Sequence, residues 1–80
     1  MSAKFQDAAA AYIEAKWNIA ESQIELGTLL TQVFSTPINA ATVAKHSAMM
    51  SKIQMHARKI VEAALDAQVE CDIAQAEEAQ

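Results

Sequence analysis

Glycine, proline and cysteine are almost missing from this sequence, because each occurs once in 80 residues, as Gly27, Pro37 and Cys71. Glycine and proline are the strongest helix breakers, so their scarcity argues against a sheet and leaves room for long helices. Aromatic residues make up only 5% of the chain, whereas apolar residues, many of them alanine, make up 52%. The composition therefore predicts the all-α fold class.

Signals for secretion, disulfide formation and membrane insertion are also lacking. The single Cys71 excludes an internal disulfide and is typical of a reducing compartment, although an intermolecular bridge is left open. Residues 1–11 contain no basic segment followed by an apolar core. The uncharged stretch 26–44 holds too many polar residues for a stable membrane span. We expect a cytoplasmic protein, or one exported without a cleaved signal peptide.

Positive charge is in deficit, because ten Asp and Glu residues outnumber six Lys and Arg residues and give a net charge of −4. Nucleic-acid binding depends on Lys and Arg that neutralise phosphates, so nucleic acid is not expected as a partner. The charges form blocks: residues 35–61 hold four bases and no acid, and residues 62–80 hold six acids and no base. Such blocks usually serve recognition or solubility.

Residues with reactive side chains are present, but they form no catalytic motif. A phosphate-binding loop, a paired-cysteine motif and a glycine-rich turn are all missing. His46 shares a helical face with Met49 and Met50, which could suit copper, but methionines more often fill irregular helix interfaces. An acidic row over residues 62–70 could bind a cation, but such a row is more often a solvated face. We predict no enzyme activity, no catalytic residue, no cofactor and no metal site.

Apolar residues recur at sevenfold spacing and define helical seams in both halves of the chain. In the first half, a row of large residues accompanies a row of mostly small ones: Phe5, Tyr12, Ile19, Leu26 and Val33 beside Ala8, Ala15, Ser22 and Leu29. The second half has two further rows: His46, Ile53, Ile60, Ala67 and Ala74 beside Val43, Met50, Ala57, Ala64 and Cys71. These rows predict two long helices with coiled-coil-like packing.

The helices are separated by a turn near Ser35–Asn39. We predict helix 1 over about residues 3–34, helix 2 over about residues 37–76, and an acidic frayed tail at 77–80. Thr36 can cap the second helix and Pro37 suits its first position, while Asn39 is an alternative cap. So short a turn joins antiparallel neighbours, which predicts a single helical-hairpin domain at residues 1–80 that packs into a multimeric helical assembly.

The predicted register places residues opposite each other when their numbers add up to about 73, as the turn position and side-chain volumes suggest. It puts Glu21 and Glu25 opposite the basic row Lys45, Lys52 and Lys59, which predicts a salt-bridge stripe within the hairpin or with the next subunit. The predicted core contains the large seam residues and their mates: Phe5, Tyr12, Ile19, Leu26, Leu30, Val33, Val43, Met50, Ile53, Ile60 and Ala64.

The first helix has a second apolar stripe, rotated from its seam by roughly a quarter of a turn or more. One neighbouring helix cannot cover both faces, and full burial of a large apolar side chain is worth about 1.5–3 kcal/mol, so the stripe predicts a partner interface. Trp17 is either buried within a four-helix dimer or anchors a different protein, and Gly27 is either a weak point or a site of close backbone approach. The predicted interface residues are Ile13, Trp17, Ala20, Ile24, Gly27 and Phe34.

Two functions fit this pattern: a structural subunit of a homo-oligomer or helical filament, and a small adaptor or secretion-type chaperone that covers an apolar helix of another protein. The layout of two helices around a turn with Pro37 resembles type III secretion needle subunits, and its size and acidity resemble the small hairpin co-chaperones of those systems. The chain lacks the needle family's double proline and its tyrosine- and asparagine-rich second half, so no residue role is carried over. A second copy of the chain is the first expected partner.

Overall fold

The computed structural model describes residues 2–79 and contains two helices. Helix α1 spans Ala3–Ser35 and helix α2 spans Val43–Glu78. The two helices pack against each other in opposite directions, and residues 2–79 contain no strand. The prediction of an all-α helical hairpin is confirmed.

Side-chain hydrogen bonds define both ends of α1. The Ser2 hydroxyl accepts from the backbone N–H of Phe5 at 3.1 Å, as an N-cap does. The same hydroxyl donates to Glu77 Oε2 at 3.1 Å and joins the beginning of α1 to the end of α2. At the other end, the Thr36 hydroxyl donates to the carbonyl of Gln32 at 2.7 Å. Helix α1 thus begins and ends close to its predicted limits.

The turn differs from the prediction, because α2 begins at Val43 and not at Pro37. Asn39 Oδ1 accepts from the backbone N–H groups of Ala41 at 2.9 Å and Thr42 at 3.1 Å. The Thr42 hydroxyl donates to the Pro37 carbonyl at 2.6 Å. Of the two caps considered, Asn39 is the one whose side chain accepts from amides of the connection, two and three residues further along the chain. The residue just before α2 is Thr42, which makes no side-chain capping hydrogen bond. Helix α2 then continues past residue 76, and Gln80 of the predicted tail lies outside the described residues.

The longer turn changes the register of the hairpin. The predicted register would put Ala48 opposite Glu25, but the structure puts His56 there, with Nδ1 3.0 Å from Glu25 Oε2. The error corresponds to about two helical turns. It arises because residues 36–42 form a connection and not the first turn of α2.

Burial along α1 follows the predicted seam. Its four buried residues are Ala8, Ala15, Ser22 and Leu29, which are one complete row of that seam. Four of the five large residues of the other row are half-buried: Phe5, Ile19, Leu26 and Val33. The fifth, Tyr12, is exposed, so its assignment to the core is wrong.

Burial along α2 is offset by one residue from one of the two predicted rows. The half-buried Ile53 and Ile60 and the buried Ala67 follow the prediction. The second row consists of Met49, His56 and Ala63, which are buried. The predicted row, which contains Met50 and Ala64, was preferred because all its members are apolar. The row that is buried in the structure contains His56. Val43, Met50 and Ala64, three residues assigned to the core, belong to the row that was predicted in its place and are therefore exposed. Leu30 of α1 is exposed as well, so its assignment to the core is also wrong.

The hairpin is a thin rod with little interior. Its principal dimensions are 61 × 14 × 13 Å. Only two of its buried residues, Leu29 and Met49, have large apolar side chains, and no side chain in the described part is less than 2% exposed. The small residues Ala8, Ala15, Ala63 and Ala67 let the helices approach closely, but each removes little apolar area from water.

We expect Asn39→Ala to lower the free energy of unfolding by roughly 1 kcal/mol, because the amides of Ala41 and Thr42 lose their side-chain acceptor. Thermal unfolding followed by circular dichroism measures the change. Asn39→Asp retains the acceptor oxygen and serves as the control. Equal stability of Asn39→Ala and the unmodified chain would contradict this role of Asn39.

Candidate functional site

The predicted interface stripe of α1 is exposed in the hairpin. Trp17 is 65% exposed, Ile24 is 71% exposed and Phe34 is 87% exposed, while Ile13 is about half exposed. Between them, Ala20 is half-buried and Gly27 is exposed. The hairpin thus leaves the four large apolar side chains of the stripe in contact with water, as the sequence analysis required.

This stripe faces away from α2. Trp17 and Ile24 each lie two residues beyond a buried seam residue, Ala15 and Ser22, and Ile13 lies five residues beyond Ala8. At 3.6 residues per turn these offsets correspond to rotations of about 140–200° around the helix. Contact with α2 therefore cannot cover the stripe, and a second surface has to do so if it is to be buried.

A second exposed apolar stripe, which was not predicted, lies on α2. Val61, Leu65 and Val69 follow one another at four-residue spacing and are each more than half exposed. Residues at this spacing lie on one face of a helix, so their periodicity could have revealed the stripe. The exposed Val43 and Met50 extend the apolar surface of α2 toward the turn.

The accessible area of the chain is large for its mass. The 8.6 kDa hairpin exposes 5874 Å². The area–mass relation for folded monomers gives about 4,700 Å² for a chain of this mass. Its radius of gyration is 18.1 Å, against about 12 Å for a compact domain of this length. The excess area is of the same order as the roughly 800 Å² that each partner buries in a standard protein interface.

A polar groove runs along one side of the hairpin. Residues of both helices line it, and most of them are acidic or polar: Asn18, Glu21, Ser22, Glu25, Lys59, Glu62, Ala63 and Asp66. At its edge, buried His56 Nδ1 lies 3.0 Å from Glu25 Oε2, but the two groups are not aligned as a hydrogen bond. A negative groove with one lysine is a surface for basic groups and does not by itself provide a reaction centre.

The predicted salt-bridge stripe does not form within the hairpin. In the chain from Ser2 to Ala79, His56 and Glu25 are the only basic and acidic side chains whose nitrogen and oxygen atoms lie within 4.0 Å of each other. Lys59 lines the same groove as Glu21 and Glu25, but Lys45 and Lys52 do not line it. The register shift explains this result, because it moves the basic row toward the turn and away from the acids of α1.

The other histidine, His46, has a structural contact that sequence analysis did not foresee. Its Nε2 lies 3.0 Å from the carbonyl oxygen of Thr36 and 3.2 Å from that of Pro37. A carbonyl oxygen only accepts, so Nε2 carries the proton and donates. Among the described residues no group of three or more His, Cys, Asp or Glu side chains is arranged to hold a metal ion.

Comparison with protein-family models, curated proteins and solved structures finds no match to this chain. Neither α1 nor α2 contains a stretch of sufficient length and apolar character to cross a bilayer. The candidate site is therefore defined by the physical properties of the hairpin alone, namely by the two apolar stripes and the charge along its length.

We expect Gly27→Ala to stabilise the dilute hairpin by up to about 1 kcal/mol, because alanine has the higher helix propensity. A Cβ atom at this position would have no neighbour within 4 Å, so no steric cost offsets the gain. Thermal unfolding at low protein concentration tests this expectation. A lower unfolding temperature would show that residue 27 is constrained by something other than its own hairpin.

Proposed function

We propose that this protein is a non-enzymatic structural subunit that assembles with copies of itself by helix packing. The apolar stripe of α1 is the central contact in this assembly, with Trp17 as its anchor. Burial against another helix gives the stripe the apolar environment that α2 cannot provide. Homo-oligomers and helical filaments are both built from such contacts.

The observation that carries the proposal is the exposure of the large apolar side chains. The exposed set includes the only tryptophan of the chain and extends over both helices and the turn: Tyr12, Ile13, Trp17, Ile24, Leu30, Phe34, Ile38, Val43, Met50, Met55, Val61, Leu65, Val69 and Ile73. Monomeric proteins rarely expose contiguous apolar patches of more than a few hundred Å². An assembly that buries these residues offsets the small interior of the lone hairpin.

The shape of the stripe supports a helix as its occupant. Near its middle the small Ala20 and Gly27 stand on either side of Ile24, while Ile13 and Phe34 stand at its ends. Small residues within a contact leave room for large side chains of the partner, and the large residues between them fill the spaces on the partner's side. A second copy of α1 has this same arrangement and is a matching partner in size and length.

We expect Trp17→Ala to weaken self-association at least tenfold while leaving helix content unchanged. Loss of a buried indole costs about 1.5–3 kcal/mol, and 1.4 kcal/mol corresponds to a factor of ten in the dissociation constant. Sedimentation equilibrium over a concentration series measures the association, and circular dichroism measures the helix content. Asn18→Ala, next to Trp17 but in the polar groove, is the matched control.

Tryptophan fluorescence of the unmodified chain provides a second measurement on the same samples. Since Trp17 is the only tryptophan, its emission should shift to shorter wavelength as the protein concentration rises and the indole leaves water. A chain that sediments as a monomer at all concentrations, with the emission of an exposed indole, would contradict self-assembly. That result would favour the adaptor function, in which the stripe binds the apolar helix of another protein.

A further inference from the structure

Charge divides the hairpin into two unlike halves. We define the turn half as residues 19–61 and the open half as residues 2–18 and 62–79. The turn half holds four bases and two acids, whereas the open half holds two bases and eight acids. The hairpin therefore has a net positive half and a strongly negative half along a rod 61 Å long.

The hairpin does not neutralise these halves internally. In the open half, the acids of the two helices lie on the same side: Glu14, Asp66 and Glu70 line one groove. In the turn half, the bases Lys45, Lys52 and Arg58 have no carboxylate within 4.0 Å among residues 2–79. Acids face acids at one end, and bases lack partners at the other, so both halves are left to interact with charges outside the hairpin.

We propose that two copies of this chain pack side by side in antiparallel orientation, with their turns at opposite ends of the assembly. This inference rests on the proposed self-assembly and adds the orientation. The apolar stripes run along the rods, so their burial is possible in either orientation. Charge distinguishes the two, because parallel packing sets two negative open halves together, whereas antiparallel packing sets each open half beside a positive turn half.

In the antiparallel arrangement, a single two-fold axis places the charge of each half beside the opposite charge of the partner. In such an isologous dimer every contact occurs twice, so the bases of each turn half approach the acids of the partner's open half. Individual exposed ion pairs contribute little, but like charges placed together are repelled over the whole length of the contact. The charge blocks therefore select the orientation, while the apolar stripes supply the affinity.

Cys71 makes the orientation measurable in the natural sequence. It is a free, half-buried cysteine in the open half, and Met50 lies three heptads earlier on α2, in the turn half. In an antiparallel dimer with open half beside turn half, Cys71 of one copy lies near the level of Met50 of the other. The two Cys71 residues are then separated by about 30 Å or more along the rod, because the 21 helical residues from Met50 to Cys71 rise by that length. In a parallel dimer they lie at the same level, separated only by the width of the helix packing.

Pulsed electron paramagnetic resonance on chains that are spin-labelled at Cys71 distinguishes these arrangements. The antiparallel dimer predicts a long distance between the two labels. A mixture of these chains with Met50→Cys/Cys71→Ser chains, labelled at residue 50, should add a short distance between residue 71 of one copy and residue 50 of the other. Sedimentation and circular dichroism of each labelled chain serve as controls for assembly and folding.

Charge reversal gives an independent measurement without labels. Lys45→Glu/Lys52→Glu should weaken the dimer about tenfold, because the turn half then meets the partner's open half with like charge. Adding Asp66→Lys/Asp72→Lys to the same chain should restore part of the affinity, since the net charge of the open half falls from −6 to −2 and its repulsion of the negative turn half weakens. Loss of affinity with the first pair and its partial recovery with the second are expected only when the turn half of one copy lies beside the open half of the other. In a parallel dimer the two turn halves carry like charge of the same size before and after the first pair, so that pair would cause no loss.

The outcomes separate the two proposals. A dimer with a short distance between Cys71 labels, or with no rescue by the second pair of substitutions, would overturn the antiparallel orientation and leave self-assembly standing. A chain that stays monomeric at every concentration would overturn self-assembly, and the orientation with it. A long Cys71 distance together with the rescue would establish the antiparallel dimer.

Discussion

The close approach of α1 and α2 along rows of small side chains is the constraint on which the rest of this structure depends. Ala8 and Ala15 on one helix, with Ala63 and Ala67 on the other, allow the backbones to come near each other. The same residues bury little apolar area, since an alanine has only one methyl group to remove from water. The hairpin is therefore well defined in geometry but has a small hydrophobic interior.

That small interior explains where the large apolar residues lie. They line the seam only in part, and the remainder occupy the side of α1 away from α2 and the outer face of α2. A chain this short buries a smaller share of its surface on folding than a larger domain does, so the proposed self-assembly would add to its stability. The core is thin and the stripes are exposed for the same reason, namely that small side chains occupy much of the seam while many large apolar side chains lie outside it.

Much of the fold follows from the sequence, because sevenfold spacing and the lack of breakers specify two long helices. The seam of α1 was predictable for the same reason. The register was not, since it depends on the length of the connection. Single-sequence patterns favour a start of the second helix after Thr36 or after Asn39, whereas α2 begins at Val43. The second buried row of α2 was not predicted because it contains His56, which lies beside Glu25 and is polar, whereas the neighbouring row is wholly apolar.

The exposed stripe of α1 was also predictable, since the number of apolar faces on α1 exceeds the number of neighbours in a hairpin. The stripe of α2 was not predicted because its residues alternate with Glu62, Asp66 and other charged residues, which mask its apolar periodicity. Interface contacts themselves depend on a second molecule. Patterns within one chain specify which surface is available for contact, and only charge along the rod carries information about how a mate is oriented.

No large side chain among residues 2–79 is fully shielded from solvent, and this has a consequence for the lifetime of a single copy. Local opening of a helix exposes its backbone to proteases, and opening is easier where fewer packing contacts have to be broken. In this hairpin every described segment has few such contacts, because little side-chain area is buried. Unassembled copies are thus expected to be short-lived in the presence of proteases, whereas copies covered by neighbours are spared. Degradation of excess copies would then match their number to the places available in the proposed assembly.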